Sequence, residues 1–291
     1  MADRRTLLER LEGMDRRWVF LIMFLAMSLP LFFPVDLPIE VTPEVQGYFD
    51  LVESLEPGDV VYLAADCDPG SQAELKPMLI ASLDHLFRQD VKIVGATLWP
   101  AGPPLLDRAL SEIAEEYGKV YGEDYVNLGF KEGRESVMVQ LGKSFRAVYP
   151  SDYNRNPVES FPLFSARKPD GSWAVDTFED VKCIVNVSAG YPGTKEWVQQ
   201  VRSRYNIPIV SGCTAVSAPE YYPYVQSGQL SGLLGGLADA AKYEKLTGRA
   251  GVATSGMSGQ SLGHVVIVIL IAFGNVLYFV NRRRRPRGEA G

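Results

Sequence analysis

Residues 59–99 read DVVYLAADCDPGSQAELKPMLIASLDHLFRQDVKIVGATLW. The runs at 59–66 and 91–99 are short, apolar and rich in valine, which is typical of strands buried on both faces of a sheet. Between them, residues 73–88 repeat apolar side chains at helical spacing. The stretch therefore predicts a strand, a helix and a second strand.

The same alternation continues through the central part of the chain, and each predicted strand is a nearly continuous apolar run. Parallel strands that are joined by helices and covered on both faces produce this pattern, and right-handed crossovers make such a sheet doubly wound. The predicted fold class is α/β, with a doubly wound, mostly parallel sheet that is Rossmann-like or flavodoxin-like. The other predicted strands are 124–130, 181–189 and 207–211, and the other predicted helices are 104–117, 134–145, 194–205 and 228–246.

Two apolar segments without Asp, Glu, Lys or Arg flank this region, at 18–35 and 261–281. Each has the length that a helix needs to cross about 30 Å of hydrocarbon. Five arginines precede the first segment and five follow the second, so the positive-inside rule predicts two spans, with both termini in the cytoplasm and the central domain periplasmic or extracellular. The alternatives are a cleaved signal peptide for the first segment and a buried core helix for the second.

These patterns divide the chain into six segments. The two ends hold ten of the 29 basic and five of the 35 acidic residues, which leaves a net charge of −11 between them. We therefore expect no nucleic acid as partner; the expected partners are the lipid bilayer and either other membrane protein subunits or further copies of this chain. The predicted segments are a cytoplasmic N-terminal segment at 1–17, a transmembrane helix at 18–35, an extracytoplasmic α/β domain at 36–249, a flexible Gly/Ser-rich tether at 250–260, a second transmembrane helix at 261–281 and a basic cytoplasmic tail at 282–291.

Two features of the central domain suggest contacts. Residues 148–180 are rich in proline and aromatic residues, and a connection of this length without regular structure is usually functional or disordered. Its aromatic side chains predict packing, either on the domain itself or on a partner. Glycines within the predicted helix 228–246 suggest very close approach of another backbone, from the domain's own sheet or from a neighbouring subunit. The interface candidates are Tyr153, Phe161, Phe164, Trp173, Gly232, Gly235 and Gly236.

Candidate ligand-binding residues lie beyond the carboxyl ends of the predicted strands, where open α/β sheets bind their ligands. Small and polar residues gather at these ends, although tight turns between strands and helices need the same residues. An acidic pair there favours a cation or a hydroxyl-bearing ligand, and the glycine-containing loop at 188–194 favours an anionic group. The candidates are Asp66, Asp68, Thr97, Trp99, Ser188, Gly190, Thr194 and Thr214.

The sharpest of these motifs is the Asp-x-Asp formed by Asp66 and Asp68 directly after an apolar strand. It resembles the first motif of the haloacid-dehalogenase-like phosphotransferases, and Thr97 is similar to their second motif; the resemblance covers about 40 residues. It implies that Asp66 is a nucleophile, that Asp68 is a general acid and that both hold Mg²⁺. The acidic residues of that family's fourth motif are replaced here by Asn-Val-Ser-Ala-Gly at 186–190, so the metal would lack ligands.

Most of the common catalytic motifs are missing from the central domain. It contains one histidine, His85, and the chain has no C-x-x-C, no P-loop and no G-x-G-x-x-G motif, which argues against a Ser-His-Asp triad, a histidine zinc site or a dinucleotide fingerprint. Cys67 and Cys213 fall at the same sheet edge, and a disulfide between them stays open. We expect no catalytic residue, no metal site and no cofactor.

The architecture resembles the extracytoplasmic α/β domains that accompany some membrane transport and motility complexes. The missing catalytic residues, the two apolar anchors, the aromatic segment 148–180 and the glycine-rich helix indicate a structural or scaffolding subunit of a larger membrane protein assembly, rather than an enzyme. One alternative is a domain that binds or senses a small ligand at the carboxyl edge of the sheet. A third interpretation, a Mg-dependent phosphatase-like enzyme, depends on the Asp-x-Asp motif.

Overall fold

The computed structural model describes residues 15–32 and 40–284. Its central feature is one sheet of six parallel strands. The strands are β1 (Val60–Asp66), β2 (Lys92–Thr97), β3 (Tyr125–Phe130), β4 (Cys183–Ser188), β5 (Ile209–Cys213) and β6 (Gly232–Gly235). Their order is β3-β2-β1-β4-β5-β6, which is that of doubly wound Rossmann-type sheets. The predicted α/β class and the doubly wound parallel sheet are thus confirmed.

The order places a topological switch point between β1 and β4. From β1 the chain winds outward through β2 to β3, then returns to β4 beside β1 and winds outward in the other direction to β5 and β6. Nearly every residue of β1 and every residue of β4 is buried, as expected for central strands covered by helices on both faces. Asp66 and Ser188 are register partners at the carboxyl ends of these two strands.

Helices flank the sheet, and those predicted at 73–88, 104–117 and 194–205 are present within a few residues of those bounds. Pro77 lies inside its helix without interrupting it. The last of the three has a π-helical segment, Val198–Arg202, between two α-helical turns. The helices are α1 (Arg16–Phe32), α2 (Pro43–Glu53), α3 (Gln72–Arg88), α4 (Gly102–Glu116), α5 (Glu135–Leu141), α6 (Phe145–Val148), α7 (Pro162–Ser165), α8 (194–205), α9 (Ala218–Gln226), α10 (Gly236–Thr247) and α11 (Val252–Arg284).

The prediction of one helix over 228–246 is wrong in its first part, because β6 precedes α10. β6 pairs with β5, and α2, which the sequence analysis did not predict, packs against it. A Cβ on Gly232 would lie 2.1 Å from the backbone nitrogen of Tyr48, and one on Gly47 would lie 2.3 Å from the carbonyl oxygen of Ser231. The close backbone approach that the glycines suggested is therefore made by α2 at Gly232, inside the same domain, while Cβ atoms on Gly235 and Gly236 would meet Ala218 and Ala215.

Residues 148–180 do not form an open excursion. They contain α7 and two short 3-10 turns, Val158–Ser160 and Phe178–Asp180. Phe164 is buried in the hydrophobic core of the domain, and Phe161 packs against that core. The guanidinium carbons of Arg146 and Arg167 lie 3.8 and 3.6 Å from the centre of the Trp173 ring.

Most of the candidate interface residues therefore serve the fold of the domain. Phe164, Gly232 and Gly236 are buried, while Phe161, Trp173 and Gly235 are partly buried. Tyr153 is the exposed member of the set.

The expected flexible tether at 250–260 lies almost wholly within α11, which begins at Val252. The Glu244 carboxylate holds the start of this helix, because it accepts hydrogen bonds from the backbone N–H groups of Gly251, Ala253 and Thr254 at 2.8–3.1 Å. These are N–H groups that lack intrahelical partners. The buried Glu244 carboxylate thus holds the first residues of a segment whose Gly/Ser-rich composition predicted a flexible tether.

The chain divides into two compact units. One contains Ile39–Thr254, and the other contains α1 together with α11 from Ser255 onward. In the second unit, Gly259 and Gly263 of α11 lie against Met27 of α1. This helix contact is close, because a Cβ on Gly259 would lie 2.8 Å from the Met27 carbonyl oxygen.

Among the described residues, α11 is the one helix that is long and apolar enough to cross a membrane, over Val252–Val280. α1 covers 17 residues, Arg16–Phe32, of the region where the N-terminal span was expected at 18–35. Residues 1–14, 33–39 and 285–291 hold most of the expected cytoplasmic segments and the end of the first span, and they lie outside the described residues.

Candidate functional site

The switch point between β1 and β4 is where this fold binds ligands, and Asp66 ends β1 there with its side chain completely buried. Its Oδ1 accepts a hydrogen bond of 2.6 Å from the backbone N–H of Leu98, and its Oδ2 accepts one of 2.9 Å from the indole N–H of Trp197. Burial raises the pKa of Asp66 to about 6, against the opposing effect of these donors. The carboxylate is therefore engaged within the protein.

A second buried group, Asn186 in the middle of β4, organises the hydroxyl groups of the site. Its Oδ1 lies 2.9–3.2 Å from the hydroxyls of Ser188, Thr194 and Ser211. The Thr194 and Ser211 hydroxyls are also 2.6 Å apart, and the Asn186 amide lies 3.4 Å from Asp66 Oδ2. Four side chains from β4, β5 and the start of α8 thus form one network with Asp66, as buried polar groups must when water is excluded.

The loop after β2 is fastened to the loop after β4. The Trp99 indole nitrogen donates a hydrogen bond of 2.9 Å to the Pro192 carbonyl oxygen, and the Trp99 ring lies against Gly190. Because β1 lies between β2 and β4, this connection passes across the carboxyl end of β1. The Trp99–Pro192 hydrogen bond thus joins two loops at the switch point, where open α/β sheets bind their ligands.

The other two candidate residues form local turns. Asp68 Oδ1 accepts a hydrogen bond of 2.9 Å from the backbone N–H of Ser71, and the Ser71 hydroxyl accepts one of 3.2 Å from the backbone N–H of Asp68, a reciprocal pair like that of a capping box ahead of a helix. The Thr214 hydroxyl lies 3.0 Å from that of Ser217. The structure thus brings Asp66, Thr97, Trp99, Ser188, Gly190 and Thr194 into one connected region and leaves Asp68 and Thr214 in their own loops.

Metal binding requires ligating side chains that lie together, and thiol chemistry requires a reactive thiolate. No group of three His, Cys, Asp or Glu side chains suited to a metal ion occurs within the described residues. All three cysteines, Cys67, Cys183 and Cys213, are described, buried and free. Burial raises the pKa of each thiol to about 12, so the reactive thiolate form is disfavoured.

A cavity of about 390 Å³ opens at the carboxyl end of β3, away from the predicted residues. Gly129, Lys131, Tyr149 and Tyr153 contribute to its lining, and none of the eight candidate ligand residues does. The Tyr149 hydroxyl is buried and finds no hydrogen-bond partner among the described residues. A buried polar group without a partner is costly, which makes this cavity a second candidate site for a small ligand.

Sequence reasoning did not identify three residues that decide the chemistry of the switch point, namely Trp197, Asn186 and Ser211. Asn186 carried a usable signal, because an amide in the middle of an apolar strand must find buried partners. Trp197 carried none, since an aromatic residue on a helix face is ordinarily part of the core. Its donation to Asp66 depends on where α8 crosses the sheet.

No family model, no curated protein and no solved structure matches this chain.

Proposed function

We propose that this protein is a membrane-anchored, non-catalytic α/β domain that serves as a structural subunit of a larger membrane protein assembly. The observation that carries the proposal concerns the polar side chains at the switch point. Asp66, Asn186 and Ser188 form hydrogen bonds with other residues of the same chain. Side chains that are hydrogen-bonded within the protein stabilise the fold, and they are poorly placed to bind a substrate because their polar groups already have partners.

Exposed apolar side chains on the loops at the carboxyl edge support a protein partner there. Val216, in the loop after β5, is 88% exposed, and Tyr191, in the loop after β4, is 53% exposed. Aromatic residues are enriched at the buried centres of protein interfaces. The apolar α11 supplies the anchor.

The proposal includes two spans, with both termini cytoplasmic and the domain on the other side of the membrane. It is supported by the arginines outside both apolar segments and by the contact of Gly259 and Gly263 with Met27. Single cysteines at Ser165 and Gly288 test it in intact cells with an impermeant thiol reagent. We expect Ser165→Cys to be labelled from outside and Gly288→Cys to be protected; the reverse pattern overturns the topology.

The structural role is tested with a photo-crosslinking amino acid placed at Val216. The matched control is Val120, which is 54% exposed and precedes β3 at the opposite, amino edge of the sheet. We expect a product of one defined mass from position 216 and none from position 120. Equal products from both positions, or extraction of the chain as a lone monomer of 32.1 kDa, contradict the proposal.

A second candidate function is small-ligand binding, in the cavity at the end of β3 and not at the switch point. It is supported by the unpartnered Tyr149 hydroxyl and by the Lys131 side chain at the cavity. The test is the melting temperature in acetate, citrate and inorganic phosphate. An anion that binds there raises the melting temperature of the parent chain but not that of Lys131→Ala. Lys143→Ala is the control: Lys143 does not line the cavity, so this variant should respond to the anion as the parent does.

A further inference from the structure

Between Leu262 and Val280, two polar side chains interrupt the exposed apolar surface of α11, His264 and Asn275. They are eleven residues apart, which is three turns of an α-helix, so they lie on the same face. Val268, Ile271 and Tyr278 share this face and are exposed. The spacing 264, 268, 271, 275, 278 alternates four and three, as the seam positions of a heptad repeat do. We call these five residues the α11 seam.

The α11 seam lies away from the contact that α11 makes within its own chain. That contact involves Gly259 and Gly263, which lie against Met27 of α1. At about 100° of rotation per residue, Gly259 is about 160° and Gly263 about 120° from Asn275 around the helix. Within the described part of the chain, helix α1 therefore covers one side of α11 and leaves the seam open.

The position of Asn275 along α11 makes an open seam unfavourable in a membrane. Arg282 follows seven residues later, which is about 10 Å along the helix, whereas half of the hydrocarbon layer is about 15 Å. With Arg282 at the interface, the Asn275 amide lies within hydrocarbon. His264 lies about 27 Å from Arg282 along the helix and reaches the opposite interface. An amide that faces lipid tails without a partner is strongly disfavoured.

We propose that the α11 seam is the interface of a parallel homodimer, in which the Asn275 amides of two copies hydrogen-bond to each other. This rests on the proposed role of α11 as a membrane span and names a partner for it. A second copy fits because it inserts with the same orientation and brings Asn275 to the same depth. An amide both donates and accepts, so it is self-complementary across a twofold axis, and a single Asn at a seam position specifies pairing and register.

Disulfide cross-linking of the full chain in its native membrane tests the seam. Ile271→Cys places a thiol on the seam, and Val276→Cys is the matched control, because both side chains are 60% exposed and they lie about 140° apart on the helix. The parent chain, whose three cysteines are buried, is the blank. We expect a covalent homodimer from Ile271→Cys and not from Val276→Cys or the parent.

The amide is tested by adding Asn275→Leu to Ile271→Cys, with Val276→Leu as the control. We expect the dimer yield to fall roughly threefold to tenfold with Asn275→Leu, from the loss of one interhelical hydrogen bond in a membrane, and to stay unchanged with Val276→Leu. An equal yield in both overturns the role of the amide.

Two further outcomes separate this inference from the proposed function. A chain that stays in carbonate-washed membranes but gives no homodimer at Ile271→Cys, or that cross-links there to a different protein, overturns the homodimer seam and leaves the anchoring intact. A chain that carbonate releases from the membrane overturns the anchoring, and the seam with it.

Discussion

The indole nitrogen of Trp197 donates a hydrogen bond of 2.9 Å to the carboxylate of Asp66, and both side chains are buried completely. The two residues are 131 positions apart in the chain. Their contact fastens α8 to the carboxyl end of β1, at the point where a Rossmann-type sheet ordinarily accepts a ligand. The strength and the pH dependence of this contact can both be measured.

Replacing Trp197 with Phe removes the indole N–H and part of a buried ring. We expect Trp197→Phe to lower the free energy of unfolding by about 2–4 kcal/mol, because a lost buried donor and a cavity act together. Urea unfolding of the full chain in detergent measures it. The control is Trp99→Phe, whose indole is partly exposed and should cost about 1 kcal/mol. An equal loss of unfolding free energy in the two variants would mean that the buried hydrogen bond to Asp66 contributes no more to stability than the partly exposed one of Trp99.

Asp66 should make the domain less stable as the pH rises from about 4 to about 6. Burial raises its pKa to about 6, so the folded chain holds a proton that the unfolded chain has already released, and stability falls with pH across that interval. Unfolding of the parent and of Asp66→Asn at pH 4 and pH 7 measures this. We expect the difference between them to change by about 2–3 kcal/mol in favour of the variant at the higher pH. A difference that is independent of pH contradicts the assignment.

Gly232 should tolerate no side chain. A Cβ there would lie 2.1 Å from the backbone nitrogen of Tyr48, so Gly232→Ala must push α2 away from β6, at a cost of about 3 kcal/mol or more. Gly190→Ala is the control, because its Cβ would meet the Trp99 ring at 3.7 Å, an ordinary contact. Thermal unfolding of both variants decides the point, and similar melting temperatures would show that α2 can shift without loss.

Glu244→Gln should loosen the start of α11. One oxygen of Glu244 accepts from the backbone N–H groups of Gly251 and Thr254, and the other accepts from that of Ala253. Glutamine keeps only one acceptor oxygen, so hydrogen exchange of these amides should accelerate by about tenfold or more. Glu220→Gln, on the surface beside Lys195, should leave them unchanged. Unaltered exchange in Glu244→Gln would indicate that the helix start is held by other contacts.

The strands that sequence reasoning located correctly are long apolar runs, for example 59–66 and 181–189. Two elements, β6 and α2, were not predicted from the sequence, each for a physical reason. β6 is a four-residue Gly-Leu-Leu-Gly segment, too short to show a period and rich in glycine, which is depleted in strands. α2 begins at Pro43 in a proline-punctuated stretch, and its amphipathic pattern extends over only three turns.

The sequence by itself determined the alternation of buried strands and helices, and from it the parallel, doubly wound sheet, because burial on both faces leaves an unbroken apolar run. It also determined which polar residues stand at the strand ends. Only the tertiary structure decided what those residues do. The register that sets Asp66 beside Ser188 and the crossing of α8 that brings Trp197 to Asp66 join residues far apart in the chain. Periodicity reports which face of an element is buried, but contacts between distant elements depend on how those faces pack together.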